Sequence, residues 1–257
     1  MDYLRVLFYP LIPIYWLAIK IRNFLFDVKI FSSRKVNAKV ISIGNLTVGG
    51  SGKTPTTIYL IKLLRSFEMK VAVLSRGYGR STTGYFFVSD GVTINAGVEE
   101  CGDEIIQTLS EINVPAAVCE DRVEGAQRLI QQTNIDSIVL DDAYQHRWIA
   151  RNIDLLIFDQ RFLISQNNLR RKLLPTGNLR EPFSETKRAD AIILNRKFYE
   201  RKEIPEKLKK YFDGKKIFNA YYKALGFIDV KKNTFYSPEE FIGQKSLVTS
   251  GIANPHS

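Results

Sequence analysis

The densest chemical signal in the chain is Thr47-Val48-Gly49-Gly50-Ser51-Gly52-Lys53-Thr54. Gly49, Gly50 and Gly52 let successive backbone N–H groups turn inward around phosphate oxygens. Lys53 can reach the outer phosphates of a nucleoside triphosphate, and the Thr54 hydroxyl can ligate Mg²⁺. The usual spacing is G-x-x-x-x-G-K-[ST], and Thr47 stands where the first glycine is expected. An apolar run precedes the loop and a helical pattern follows it, which argues against a chance glycine-rich turn. Ninety residues downstream, the run Ile138-Val139-Leu140 delivers Asp141-Asp142 to a strand end. In phosphate-loop enzymes an Asp so placed helps hold the magnesium. Alone, an apolar strand ending in Asp is common; paired with the loop it gains meaning.

Three further segments could act on an acceptor. Gly102-Asp103-Glu104 opens a helical stretch. A carboxylate there could accept the proton of an alcohol nucleophile, with simple acidic capping of a helix start as the equal alternative. Ser75-Arg76-Gly77-Tyr78-Gly79-Arg80 puts two arginines on flexible backbone, suited to closing over phosphates or to lying as a solvated basic loop. Leu174-Pro175 through Arg180-Glu181-Pro182 is a rigid turn carrying an arginine. Tyr144-Gln145-His146-Arg147 follows the acidic doublet. A guanine-reading Asn-Lys-x-Asp is missing, since Asn195-Arg196-Lys197-Phe198 lacks the Asp, so ATP is the expected nucleotide. No helicase-type motifs point to a nucleic-acid motor.

The elements that must position these residues read as alternating strands and helices, the pattern of a mostly parallel sheet flanked by helices. Strands are expected at Lys39–Ile43, Lys70–Leu74, Ala116–Cys119, Ser137–Leu140, Asp154–Phe158 and Ala191–Leu194. Helices are expected at Thr54–Leu64, Gly102–Leu109 and Arg122–Gln132. Tyr85–Ser89 and Val92–Asn95 flank Asp90-Gly91, a hairpin signal. From Lys215 the runs become more β-like (Ile217–Tyr222, Gly226–Val230, Leu247–Thr249). The expected organisation is an N-terminal segment over residues 1–30, a phosphate-loop core over 31–215, and an incomplete β-rich domain over 216–257.

Composition bounds the partners. The 257 residues carry 37 Lys+Arg against 27 Asp+Glu, a net +10, which favours anionic partners without choosing among them. Cys101 and Cys119 lack metal or redox spacing and suit a reducing compartment. Residues 6–19 carry no charge and include Tyr9, Tyr15 and Trp16. The run is shorter than the ~20 residues a spanning helix needs, and Lys20, Arg22 and Lys29 follow. It reads as a helix lying on a cytoplasmic membrane face, with packing on the protein's own core as the alternative.

The stretch Ile43-Gly44-Asn45-Leu46-Thr47-Val48-Gly49-Gly50-Ser51-Gly52-Lys53-Thr54-Pro55 closely resembles the loop of the tetraacyldisaccharide 4′-kinases, the lipid A 4′-kinase family, which also begins its loop without the first glycine. Ser75–Arg80, Gly102-Asp103-Glu104, Asp141-Asp142-Ala143-Tyr144-Gln145-His146, Leu174–Pro182 and Gly251-Ile252-Ala253-Asn254-Pro255 match in order. The resemblance covers nearly the whole chain. It implies an ATP- and Mg²⁺-dependent phosphotransferase at the cytoplasmic face of the bacterial inner membrane. Its acceptor would be the 4′-hydroxyl of tetraacyldisaccharide 1-phosphate and its product lipid IVA; no nucleic acid or obligate protein partner is expected. Asp103 and Lys53 take the catalytic places. Thr54, Asp141, Asp142, Glu104, Gln145 and His146 form the metal-side cluster. Tyr78, Arg76, Arg80, Arg122 and Arg180 form the substrate set. In that family an Asp-His-His segment near the C-terminus partners the catalytic Asp. It would lie beyond Ser257, and His256 follows Asn254-Pro255 rather than an Asp. The resemblance therefore implies a chain truncated in its second domain. A non-catalytic nucleotide-binding membrane protein is the alternative, and a kinase of a soluble small molecule a third reading.

Overall fold

The structure is a computed structural model and describes residues 5–229 and 231–243. The expected strand Leu247–Thr249, the segment Gly251–Pro255 and His256 lie outside the described residues. Eight strands form one sheet: β1 (Lys39–Gly44), β2 (Val71–Ser75), β3 (Phe86–Asp90), β4 (Pro115–Val118), β5 (Ser137–Leu140), β6 (Ile153–Asp159), β7 (Ala191–Lys197) and β8 (Lys216–Tyr221). Their order is β3-β4-β2-β5-β1-β6-β7-β8. Every pairing is parallel except β3 with β4. This is the expected α/β architecture.

The central strands are buried on both faces, which is why they read as unbroken apolar runs. Alternation then sorts each strand between two cores. Val71, Val73 and Val139 face a cluster with Ile61, Ile105 and Leu109 from the helices Lys53–Ser66 and Asp103–Glu111. Ala72, Leu74, Ile138 and Leu140 face the other way, against Val123, Ala126 and Leu129 of the helix Arg122–Gln132. A third cluster, built on Leu156, Phe158 and Ile192, also takes in Phe183, Leu208 and Phe212. The N-terminal helix Ile12–Asp27 lays Ile12 and Tyr15 against it. Because the strands run parallel, their carboxyl ends share one edge, where such sheets hold ligands.

Two expectations are corrected. Val92–Asn95 does not form a second hairpin strand. Asp90 Oδ1 accepts from the N–H groups of Val92 and Thr93, both at 2.8 Å, so the turn opens wider than a two-residue hairpin. Only the bridge Ser89–Ile94 remains, and the ladder of β3 is made with β4. The boundary expected between residues 215 and 216 falls inside the sheet, since Lys216–Tyr221 is its eighth strand. A separate two-stranded sheet follows, β9 (Phe227–Asp229) with β10 (Thr234–Tyr236).

Candidate active site

The phosphate loop leaves β1 at Gly44, where a Cβ would stand 2.6 Å from that of Tyr144. Only glycine lets the chain after β5 pack this closely. Thr47 forms an antiparallel bridge with Leu179. Val48 N–H donates to Asn178 O at 2.8 Å, and Arg180 N–H to Leu46 O at 2.7 Å. The first part of the loop is thus an extended arm beside residues 178–180, and Thr47 has no positive φ to adopt. That is the physical reason a threonine serves there. The demanding positions come later: Gly49 and Gly52 have φ of 97° and 91°. Asn45 Nδ2 reaches Ser51 Oγ at 2.9 Å and Thr47 Oγ1 at 3.2 Å, tying the two ends of the loop together.

At the start of the helix Lys53–Ser66, Lys53 is nearly buried. Its Nζ lies 3.7 Å from Asp142 Oδ2. Both Asp142 oxygens also receive Arg180 Nη1, at 3.0 Å each. Asp142 itself holds φ at 49°, a left-handed geometry that Asp tolerates better than most residues. Asp141 is buried, and its Oδ1 has no hydrogen-bond partner. Burial, then the nearby Glu104 and Asp142 carboxylates, push the Asp141 carboxyl up to about 7. Burial likewise raises Glu104, opposed by Lys53 and reinforced by Asp142 and Asp103. Two carboxyls held above their ordinary range, one with an orphaned oxygen, suit a site that receives a cation. The described residues bring no three His, Cys, Asp or Glu together into a metal cluster of their own. A magnesium ion here would need the Thr54 hydroxyl and phosphate oxygens as well.

The sequence profile of the family described as Tetraacyldisaccharide-1-P 4'-kinase matches residues 4–257. The chain belongs to this family. It is 34% identical over 250 residues to a tetraacyldisaccharide 4'-kinase of Chlorobaculum parvum, covering 96% of this chain and 68% of that one. It is 37% identical to one from Aquifex aeolicus, covering 85% and 65%. It is 33% identical to one from Chlorobium phaeobacteroides, covering 100% and 73%. The chain thus spans about two thirds of the length of its relatives. The crystal structure of the Aquifex aeolicus family member LpxK in complex with ATP superposes with a TM-score of 0.72 at 34% identity, covering 84% of this chain and 64% of that one.

The tetraacyldisaccharide 4'-kinase motifs converge unevenly in space. Lys53, Glu104, Asp141, Asp142 and Arg180 share one electrostatic neighbourhood. Asp103 is exposed, and its carboxylate accepts the Glu104 N–H at 3.0 Å. The Tyr78 loop docks beside it: a Cβ on Gly102 would meet Tyr78 O at 2.9 Å. Tyr78 and Arg76 are exposed. Arg122 is buried at the same edge and donates to Cys119 O at 2.5 Å. Burial and then the Arg76 charge lower it to about 10, against the pull of Asp142 and Asp141. Arg80 departs from the substrate role expected of it. Its side chain is 2% exposed and pairs with Glu120 at 2.7 Å, bracing its own loop. Gln145 Nε2 donates to Asn45 O at 2.8 Å and to Glu181, so its amide nitrogen is engaged in scaffolding. Burial and then Arg122 lower His146 to about 4, which leaves a neutral imidazole with a partnerless Nδ1.

Two residues to which the sequence assigned no role hold the neighbourhood of the loop together. Asn195, noted only for the Asp that fails to follow it, lies near the end of β7 (Ala191–Lys197) with its Nδ2 donating to Ser51 O at 2.9 Å. A Cβ on Gly52 would stand 2.1 Å from that nitrogen. Glu181 is fully buried and takes donors from Arg22, Asn23, Gln145 and Arg188.

Proposed function

We propose that this chain supplies the nucleotide-binding part of a tetraacyldisaccharide 4'-kinase and transfers the ATP γ-phosphate to the 4′-hydroxyl of a tetraacyldisaccharide 1-phosphate. The observation that carries this is the triad Lys53–Asp142–Arg180 closing the mouth of the loop. Two cations held on one carboxylate can swing their charge onto a triphosphate without leaving the site, where fixed positive charge stabilises phosphoryl transfer. The loop N–H groups and the helix start at Lys53 receive the phosphates. Mg²⁺ would be held by Thr54 and Asp141, with Glu104 beside them, and would neutralise charge on the phosphate oxygens. Asp103, exposed next to the Tyr78 loop, accepts the acceptor hydroxyl proton. Arg76 faces the anionic headgroup.

The lipid acceptor fits the N-terminal helix. No described helix is long and apolar enough to cross a membrane. One face of this helix packs on the protein through Ile12, Tyr15, Ile19 and Phe26. A second apolar stripe, Ile14, Leu17, Ile21, Phe24 and Val28, is exposed. Its spacing of three and four marks a continuous helical face, and an unpartnered apolar face beside basic residues suits burial in the headgroup region on the cytoplasmic side. Labelled ATP and tetraacyldisaccharide 1-phosphate in detergent provide the test. Labelled lipid product is expected; its absence, with ATP binding intact, overturns the reading of the acceptor.

A further inference from the structure

The N-terminal helix does more than rest on the protein. It grips a segment that also holds the phosphate loop. Tyr15 donates its hydroxyl to Arg180 O at 3.0 Å. Arg22 donates to Glu181 Oε1, and Asn23 Nδ2 reaches the same oxygen at 3.2 Å. On the other side of this segment, the Arg180 guanidinium holds Asp142, the partner of Lys53. The Arg180 N–H bonds Leu46 O at 2.7 Å. The second Glu181 oxygen takes Arg188 and Gln145. Gln145 in turn bonds Asn45 O, and Asn45 ties the loop to itself through Ser51 and Thr47.

Two consecutive residues therefore point to opposite partners. Arg180 looks into the nucleotide site and Glu181 looks under the helix. A second clamp runs in parallel. Arg147, two residues after Gln145, donates to Asn23 O at 3.0 Å and pairs with Asp27 at 2.8 Å. Its guanidinium also lies 4.9 Å from the ring centre of Phe26. Glu181 has no exposed side-chain surface. A buried carboxylate is costly unless each of its lone pairs is met. Losing any donor therefore disturbs the others, and a shift of the helix cannot be absorbed by Glu181 alone.

We propose that Glu181 and Arg180 form a mechanical link through which the docking of the N-terminal helix and nucleotide binding are energetically coupled, with Glu181 as the positioning residue. The proposal rests on the reading that this helix meets a membrane. By linkage, the factor by which vesicles that bind the helix change ATP affinity is the factor by which ATP changes vesicle binding.

The experiment measures the affinity of the whole chain for a fluorescent ATP analogue, with and without vesicles of phosphatidylcholine and phosphatidylglycerol. Flotation of the protein with those vesicles, with and without ATP, gives the reciprocal arm. We expect wild type to show coupling of about fivefold or more, the lower end of measured couplings. Tyr15→Phe removes only the bond to Arg180 O. Arg22→Lys keeps the positive charge but loses the guanidinium fork. Both should retain ATP affinity in solution and vesicle binding without ATP, and lose the coupling. Glu181→Gln should lose it entirely. A purely structural role would lower the melting temperature and leave the coupling factor unchanged, and that result overturns the proposal. Vesicle binding without coupling in wild type overturns it alone. Absence of vesicle binding overturns the membrane reading, and the link with it.

Discussion

Lys53 and Asp141 set the chemistry of the site from opposite directions. Lys53 brings a nearly buried positive charge that Asp142 holds at 3.7 Å. Lys53→Ala removes the charge proposed to meet the outer phosphates, so both ATP affinity and turnover should fall, the latter by ~10²–10³-fold, as for other preorganised electrostatic groups. Nucleotide titration and steady-state kinetics separate the two. If the lipid rate survives Lys53→Ala, the phosphate-loop reading fails. Asp141 gives a pH signature. Its carboxyl lies near 7 in the nucleotide-free protein, against an ordinary value of 3.8. A folded value above the unfolded one means its stabilising contribution is full below about pH 4 and is lost as pH rises through 7. A cation needs the carboxylate form. Mg²⁺-dependent ATP affinity should therefore rise with pH up to about 7 and level off above it, while the nucleotide-free protein loses stability between about pH 4 and pH 7. Asp141→Asn should flatten both curves. Calorimetric titration and thermal melts at several pH values provide the check, and a steep curve in Asp141→Asn would assign the effect elsewhere.

At the scale of elements, the helix Arg122–Gln132 depends on Asp121. The Asp121 side chain accepts the N–H groups of Val123 at 2.8 Å and Glu124 at 3.2 Å. Asp121→Ala should cost about 1 kcal/mol, or roughly 2–4 °C in a domain of this size. It would also loosen the anchorage of Arg122 at the edge of the site. Urea and thermal unfolding measure the first effect. Much of this level was legible in the sequence. The central strands announce themselves because both faces are buried, and the phosphate loop because its chemistry is local. What escaped depends on distance along the chain or on exposure. β8 is largely exposed, so its residues look like the start of something new, although they complete the sheet. Glu181 reads as part of a turn because two of its partners, Arg22 and Asn23, lie 159 and 158 residues away. The resemblance placed Arg80 at the substrate, but its carboxylate partner Glu120 lies 40 residues on, and no local pattern shows it. Asn195 gave no signal beyond a motif it fails to complete.

At the scale of the whole molecule, the N-terminal helix is apolar towards the protein and apolar away from it. Replacing Leu17, Ile21 and Phe24 together with Asp should abolish vesicle flotation. It should leave the melting temperature close to wild type, because these side chains are 51%, 50% and 59% exposed. A large loss of stability instead would mean that this stripe packs on the protein.

The order of the strands carries one more consequence, for how the molecule comes into being. β1, which launches the phosphate loop, finds no partner among its neighbours in the chain. It pairs with Ser137–Leu140 on one side and Ile153–Asp159 on the other. During synthesis, the nucleotide site cannot take shape until some hundred residues after the loop have left the ribosome. Such long-range parallel pairing is slow, and it leaves apolar strands waiting in the open. The run Val40–Ile43 must therefore be shielded in the nascent chain, and ATP can stabilise this protein only once β6 has arrived.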